Sequence, residues 1–234
     1  MKKYSYIDFL AEFGVRGAHP GGMEATKYIM QKTNLKKGAA VLDVGCGTGE
    51  TACYLSNQHH FKVCALEKHP IMLKKAKERF EKESPTIQLV AGSIENMPFE
   101  QNRFDLILVE SVLSFVEARK ALVECFRVLK KNGTLIINEM TLLDVLSQEE
   151  VAKIKQFYQL TGCFNEQEWK QLLVEAGFKQ IEKCQVSLTD NDKVNELELS
   201  PNMDLELFDI LDEHDSLLEE FKGRMGNVVL FSRK

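Results

Sequence analysis

The sequence predicts an α/β fold with a mostly parallel sheet, and three observations support this prediction. Strand-like and helix-like segments alternate from about residue 38 onward, which is typical of βαβ units. The 234 residues are 44% hydrophobic and 28% charged, an ordinary globular composition. A glycine-rich turn directly follows the first predicted strand. Because no linker rich in Pro, Gly or Ser divides the chain, we expect a single domain of residues 1–234.

Short segments rich in Val, Leu and Ile are the predicted strands. They are residues 40–44, 63–66, 87–91, 104–109, 134–138, about 180–188, and 228–231. The fourth is almost continuously apolar, as expected of a central parallel strand that is buried on both faces. The alternation with helices predicts that most neighbouring strands run parallel.

Two of the predicted helices have recognisable ends. An apolar stripe over residues 118–129 is followed by two lysines and then Gly133, which we predict to be a left-handed stop. Asn165, with Glu168 three residues later, resembles a capping box at the start of another helix. Gly177 is predicted to end that helix.

The most informative segment is the glycine loop after the first strand. Its pattern D-x-G-x-G-x-G consists of Asp43, Gly45, Gly47 and Gly49. Glycines here let the backbone approach a ligand closely, and a helix from about Thr51 points its free N–H groups at that ligand. A dinucleotide fingerprint, G-x-G-x-x-G, would need glycine at position 50, which is Glu50. The spacing therefore disfavours that class.

A second acid, Glu67, ends the second predicted strand 18 residues after Gly49. A carboxylate beside a glycine loop can accept both hydroxyls of a ribose. The alternative interpretation is a helix cap or a solvated acid at the end of a strand. With the glycine loop upstream, we favour ribose binding.

At these residues the sequence resembles the class I S-adenosylmethionine-dependent methyltransferases, in the branch that acts on small molecules. The resemblance extends over roughly residues 38–140, 165–188 and 226–232. It implies S-adenosylmethionine as cofactor and S-adenosylhomocysteine as product. The cofactor residues that it implies are Asp43, Gly45, Cys46, Gly47, Gly49, Glu67, Lys68, Ser93, Ile94 and Glu110. Ser93 departs from the family pattern, which commonly has an acid there to meet the adenine amino group.

The resemblance also implies a Rossmann-like methyltransferase fold. Its seven-stranded sheet is mostly parallel, with only the last strand antiparallel, and helices cover both faces. Residues 38–140 would form the cofactor-binding core, and residues 1–37 an N-terminal helical extension. Residues 141–164 and 189–225 would form helical caps on the acceptor side.

The catalytic residues are unknown at this stage, with two weak candidates. His19, in a turn rich in Gly and Pro, could act as a base near neutral pH, although a turn that only sets backbone geometry is the favoured interpretation. Glu139 ends the fifth strand and could face the acceptor or be a solvated loop acid. Phe157 and Tyr158 could line the pocket, but core residues are favoured at that spacing. No metal-ligand spacing or serine-nucleophile motif is found.

The net charge and the cysteines limit which partners and which location we expect. The net charge is −5, from 30 Lys and Arg against 35 Asp and Glu, so nucleic acid is not an expected partner. Much of this charge lies in residues 189–225, so we expect a locally acidic substrate side that suits a neutral or cationic small molecule. The six cysteines are scattered, and no signal peptide or membrane span is found, which predicts a cytoplasmic protein.

Two alternative functions stay open on the sequence alone. An NAD-type oxidoreductase shares the order of strand, glycine loop, helix and acid, but Glu50 disfavours it. A non-catalytic S-adenosylmethionine-binding protein would keep the loop and use the caps for a partner. The oligomeric state and the acceptor are not determined by the sequence.

Overall fold

A seven-stranded sheet forms the centre of the computed structural model, which describes residues 4–186, 198–200 and 203–234. The strands are β1 Ala40–Val44, β2 Lys62–Glu67, β3 Gln88–Ala91, β4 Phe104–Glu110, β5 Leu129–Leu142, β6 Lys179–Cys184 and β7 Met225–Arg233. Their order across the sheet is β3-β2-β1-β4-β5-β7-β6. β7 is antiparallel to β5 and β6, and the other pairs are parallel. The predicted sheet is therefore confirmed.

Helices cover both faces of the sheet, as predicted. They are α1 Tyr6–Phe13, α2 Gly22–Gln31, α3 Glu50–His59, α4 Pro70–Glu83, α5 Ala118–Val128, α6 Gln148–Tyr158, α7 Glu166–Glu175 and α8 Glu206–Glu220. Along β1, Leu42 and Val44 pack towards α5 and α7, while Val41 packs towards α2, α3 and α4. The alternation of side chains along a strand thus supplies one apolar core on each face.

The expected left-handed stop at Gly133 is wrong, although the capping box at Asn165 is present. α5 passes directly into β5 through Leu129, whose backbone is extended. The left-handed residue is Asn132, with φ 66°, because asparagine tolerates this conformation better than most residues. A Cβ on Gly133 would lie 2.7 Å from Cγ of Leu129, so glycine is needed here to avoid a steric clash.

Each of the predicted helical segments contains at least one helix in its described part. α1 and α2 lie in the N-terminal extension, α6 lies in residues 141–164, and α8 lies in residues 189–225. Residues 187–197 and 201–202 lie outside the described residues. They include the end of the predicted strand 180–188 and part of the last cap. α8 packs against α1 and α6, so it forms an outer layer behind these two helices.

Candidate active site

A cavity of about 350 Å³ lies at the carboxyl ends of β1, β2 and β4. Open parallel sheets bind ligands at this edge, because the loops that follow the strands converge there. The glycine loop lines one side, and α1, the end of α6 and a short 3₁₀ helix, Leu113–Phe115, line the other. The side of the cavity next to the glycine loop is therefore polar, and helices form the opposite wall.

The three loop glycines each have a separate structural reason. All three have positive φ, 66° at Gly45, 55° at Gly47 and 88° at Gly49, which side chains rarely adopt. A Cβ on Gly45 would lie 2.4 Å from Val112, and one on Gly49 would lie 2.5 Å from the ring of Phe80. A Cβ on Gly47 would meet nothing within 4 Å. Gly47 therefore borders open cavity space, while the other two permit packing.

Glu67 holds the loop against the end of β2. One carboxylate oxygen accepts the N–H of Gly47 at 2.9 Å, and the other accepts the N–H groups of Lys68 and His69, each at 2.8 Å. An ionised carboxylate offers about four lone-pair positions. Three of these positions are occupied, so acceptor capacity remains for about one hydroxyl group of a ligand, on the oxygen beside the loop.

Asp43 has a buried oxygen, Oδ2, with no hydrogen-bond partner among the described residues. Burial raises the pKa of this carboxyl well above its usual value, and repulsion from Glu110 and Glu67 raises it further. Native structures leave few buried polar atoms unsatisfied. A positively charged or donating ligand in the cavity would supply the missing partner.

A polar network surrounds Glu110 at the end of β4. Its carboxylate accepts the hydroxyl of Thr26 at 3.0 Å and the hydroxyl of Thr51 at 3.4 Å. Nε2 of His19 lies 3.4 Å from Oε2 of Glu110, and its Nδ1 lies 3.5 Å from Nδ2 of Asn138. The His19 ring is thereby oriented within the cavity wall.

The ten implied cofactor residues fall into two groups, those that line the cavity and those that do not. Eight of the ten line the cavity, namely Asp43, Gly45, Cys46, Gly47, Glu67, Lys68, Ile94 and Glu110. Gly49 and Ser93 do not line it. The Ser93 hydroxyl instead accepts the N–H of Glu95 at 3.3 Å, so it closes its own turn.

Glu139 neither lines the cavity nor is a solvated loop acid, so both of its sequence interpretations are wrong. Its carboxylate is fully buried and accepts the N–H groups of Val112 at 2.8 Å and Leu113 at 2.7 Å, and the hydroxyl of Ser114 at 3.0 Å. Burial raises its pKa to about 7, against the opposing effect of these hydrogen bonds. Its role is to hold the 3₁₀ helix in place.

Tyr158 agrees with both of its sequence interpretations, because it is buried in the core and also lines the cavity, where its hydroxyl bonds Nδ1 of His214 at 3.0 Å. His69 was not among the predicted site residues. His69 also lines the cavity, and its position two residues after Glu67 is the signal that could have found it. The last cap was expected on the substrate side, yet none of its described residues lines the cavity. The acidic lining comes from the strand ends instead.

The sheet order, the glycine loop and the strand-end acids together define a class I S-adenosylmethionine-dependent methyltransferase. A family model described as a methyltransferase domain matches residues 42–137. The chain is 36% identical to an uncharacterized methyltransferase of Bacillus subtilis, YodH, over 231 residues, which cover 98% of this chain and 99% of that one. The chain belongs to this methyltransferase family, whose cofactor is S-adenosylmethionine.

Further relatives agree with this family. The demethylmenaquinone methyltransferase of Staphylococcus haemolyticus is 31% identical over 176 residues, 73% of this chain and 71% of that one. Phosphoethanolamine N-methyltransferase 2 of Haemonchus contortus, solved with phosphomonomethylethanolamine and S-adenosylhomocysteine, has the same fold. Its TM-score is 0.76 at 19% identity, over 99% of this chain and 60% of that one.

Proposed function

We propose that this protein transfers the methyl group of S-adenosylmethionine to a small, uncharged and largely apolar acceptor. The observation that carries the proposal is the division of the cavity into an acidic side and an apolar side. The apolar wall includes Ile7, Leu10, Val15, Met72, Phe115 and Val116. Lys68 is the only Lys or Arg among the described lining residues. An acceptor that carries phosphate would lack the cationic partners that such groups require.

The acidic side fits the cofactor. S-adenosylmethionine carries a sulfonium and an ammonium, and the unpartnered oxygen of Asp43 is a complement for positive charge. The remaining lone-pair position of Glu67 suits a ribose hydroxyl, and the open space at Gly47 allows close approach of the ligand. The N-terminus of α3 follows directly and favours a carboxylate group. These features support the assignment of Asp43, Gly47 and Glu67 to cofactor binding.

The protein's main contribution to methyl transfer is alignment. When bound, the cofactor supplies an electrophilic methyl, whose bond to sulfur breaks and leaves its electron pair on sulfur as the acceptor forms the new bond. The apolar wall holds the acceptor in line and excludes water. An acceptor that carries a proton must also lose it.

His19 is the base that we propose for that proton. Glu110 is an acceptor, so it orients an Nε2–H of the His19 ring, and the Nδ1 lone pair faces the amide of Asn138 at 3.5 Å, a contact that the proton of the acceptor would have to replace. His19 lines the cavity, which supports this role. Glu139 is not proposed, because its carboxylate is bound to the backbone of the 3₁₀ helix.

Two measurements test the proposal. Calorimetry should show S-adenosylhomocysteine binding at roughly micromolar affinity and no binding of NADH. Transfer of labelled methyl from S-adenosylmethionine should then be measured on uncharged aromatic alcohols, aliphatic amines and phosphoethanolamine. Turnover restricted to phosphoethanolamine, or to the aliphatic amines, which are cationic at neutral pH, would contradict the acceptor class. Binding of NADH in place of S-adenosylhomocysteine would contradict the cofactor, and turnover with any acceptor excludes a non-catalytic binder.

We also propose a cytoplasmic location and no nucleic-acid partner. All six cysteines are free thiols, which is typical of proteins in a reducing compartment. Among the described helices, none has the length and apolar character that crossing a membrane requires. The net charge of −5 disfavours contact with a phosphate backbone. Measurement of thiol reactivity in extracts and of DNA or RNA binding at low salt would test these points.

A further inference from the structure

His69 is a cavity residue with one ring nitrogen engaged and the other free. It caps the N-terminus of α4, and its Nε2 lies 3.2 Å from Oδ1 of Asp8 on α1. Its Nδ1 is buried and has no hydrogen-bond partner among the residues that the structure describes. A buried, unsatisfied ring nitrogen in a cavity wall points to a missing ligand atom.

The surroundings of Asp8 determine which nitrogen carries hydrogen. Its carboxylate accepts the hydroxyl of Ser5 at 2.6 Å and the N–H of Ser5 at 2.8 Å. Burial acts in the opposite direction, but the hydrogen bonds from Ser5 and His69 lower the pKa of Asp8 overall. An ionised carboxylate only accepts, so Nε2 of His69 must donate. In the neutral ring, Nδ1 is then an acceptor that lacks a donor.

The position of the ring identifies that donor. The backbone N–H of His69 donates to Oε1 of Glu67, the carboxylate to which the proposed function assigns the ribose. The ring therefore extends from the residue next to the ribose site and lines the same cavity. Hydroxyl groups bound to Glu67 would be the nearest donors of the cofactor.

We infer that Nδ1 of His69 accepts a ribose hydroxyl of the cofactor and that Asp8 thereby fastens α1 over the occupied site. This inference rests on the proposed cofactor function. One face of α1 lines the cavity through Ile7 and Leu10, and the helix also packs against α8. Nζ of Lys75 donates to the carbonyl of Glu12, so α4 already holds the far end of α1. At the near end the contact between His69 and Asp8 is already present, and a bound ribose would join it to the cofactor.

Two substitutions of His69 test the contacts of its two ring nitrogens separately. In His69→Gln the amide can occupy the place of Nε2 and keep the contact with Asp8, while the acceptor at Nδ1 is lost. In His69→Asn the amide occupies the place of Nδ1, and the contact with Asp8 is lost; asparagine also caps helices well. His60→Asn is the matched control, because His60 is exposed and has a left-handed backbone that asparagine tolerates.

Calorimetry with S-adenosylhomocysteine measures the ribose contact. We expect about three- to tenfold weaker binding for His69→Gln, the value of one hydrogen bond, and no change for His60→Asn. The 2′-deoxy and 3′-deoxy analogues complete a double-mutant cycle. Removal of the contacted hydroxyl should weaken binding to the parent protein more than binding to His69→Gln. Equal losses in the two proteins would overturn the inference.

Hydrogen exchange of the α1 amides measures the link to the helix. Saturating S-adenosylhomocysteine should slow exchange in residues 6–13 of the parent protein, and this slowing should be reduced in His69→Asn. An unchanged slowing would overturn the role of Asp8. Normal affinity of His69→Gln with lost turnover would make His69 a base and would also overturn the inference. Failure of the parent protein to bind S-adenosylhomocysteine would contradict the proposed function instead.

Discussion

Gly47→Val is the most direct test of the glycine loop, because the structure separates its effect on folding from its effect on binding. Gly47 has φ 55°, a conformation that costs a residue with a side chain about 1–2 kcal/mol. A Cβ there meets nothing within 4 Å, so no clash with the protein adds to this cost. For a chain of this size we expect the melting temperature to fall by about 2–8 °C.

The same side chain would enter the space assigned to the cofactor. We therefore expect the affinity for S-adenosylhomocysteine to fall at least about 100-fold, or roughly 2.7 kcal/mol, as measured by calorimetry below the melting temperature. Gly38→Val is the matched control: Gly38 has φ 79°, and a Cβ there also meets nothing within 4 Å, but it lies before β1 at the opposite edge of the sheet. This control should show the loss of stability without the loss of binding. Binding to Gly47→Val within threefold of the parent would refute the loop assignment.

Three further substitutions test the acids and the proposed base. Glu139→Gln removes a carboxyl whose pKa is about 7 in the folded protein and near 4.5 in the unfolded chain. The folded state keeps the proton to higher pH. The contribution of Glu139 to the free energy of unfolding therefore falls by about 3 kcal/mol as pH rises from 4.5 to 7. Urea unfolding at pH 5 and 7.5 should show that the variant loses less stability than the parent over this interval, and equal losses would contradict the assignment. Asp43→Asn should raise the melting temperature by about 2–4 °C, since a buried unpartnered carboxyl is removed, yet weaken S-adenosylmethionine binding about tenfold; unchanged affinity in calorimetry would argue against a cofactor role. His19→Phe should lower kcat about 100-fold with S-adenosylhomocysteine affinity kept within threefold, and a retained kcat would exclude His19 as base.

The parts of the site that could be predicted from the sequence are those set by local backbone geometry. Apolar segments that alternate with helices predict the strands, and the Gly-rich turn after β1 predicts a loop whose backbone a ligand can approach at Gly45, Gly47 and Gly49. Glu67 could be predicted because a strand end places its last side chain at the ligand edge of a parallel sheet. These residues depend little on which other elements pack nearby.

The errors concern side chains whose direction depends on distant elements. Glu139 lies within β5, near the strand-end acids, but the 3₁₀ helix covers it and donates backbone N–H groups to its carboxylate. Ser93 is a local exception, because its hydroxyl accepts the N–H of Glu95 in its own turn. The contact between Asp8 and His69 spans 61 residues, so no local pattern could have predicted it.

The sequence by itself determined the fold class, the position of the glycine loop and the strand-end position of Glu67, because strand periodicity, glycine-rich turns and strand ends are local properties. Only the tertiary structure decided which acids face the cavity, and that α1, α4 and the 3₁₀ helix contribute to its apolar wall while the described part of the last cap forms an outer layer. The acceptor side depends on how helices far apart in the chain pack over the sheet. That packing is set by contacts between distant residues, which the order of residues along the chain does not display.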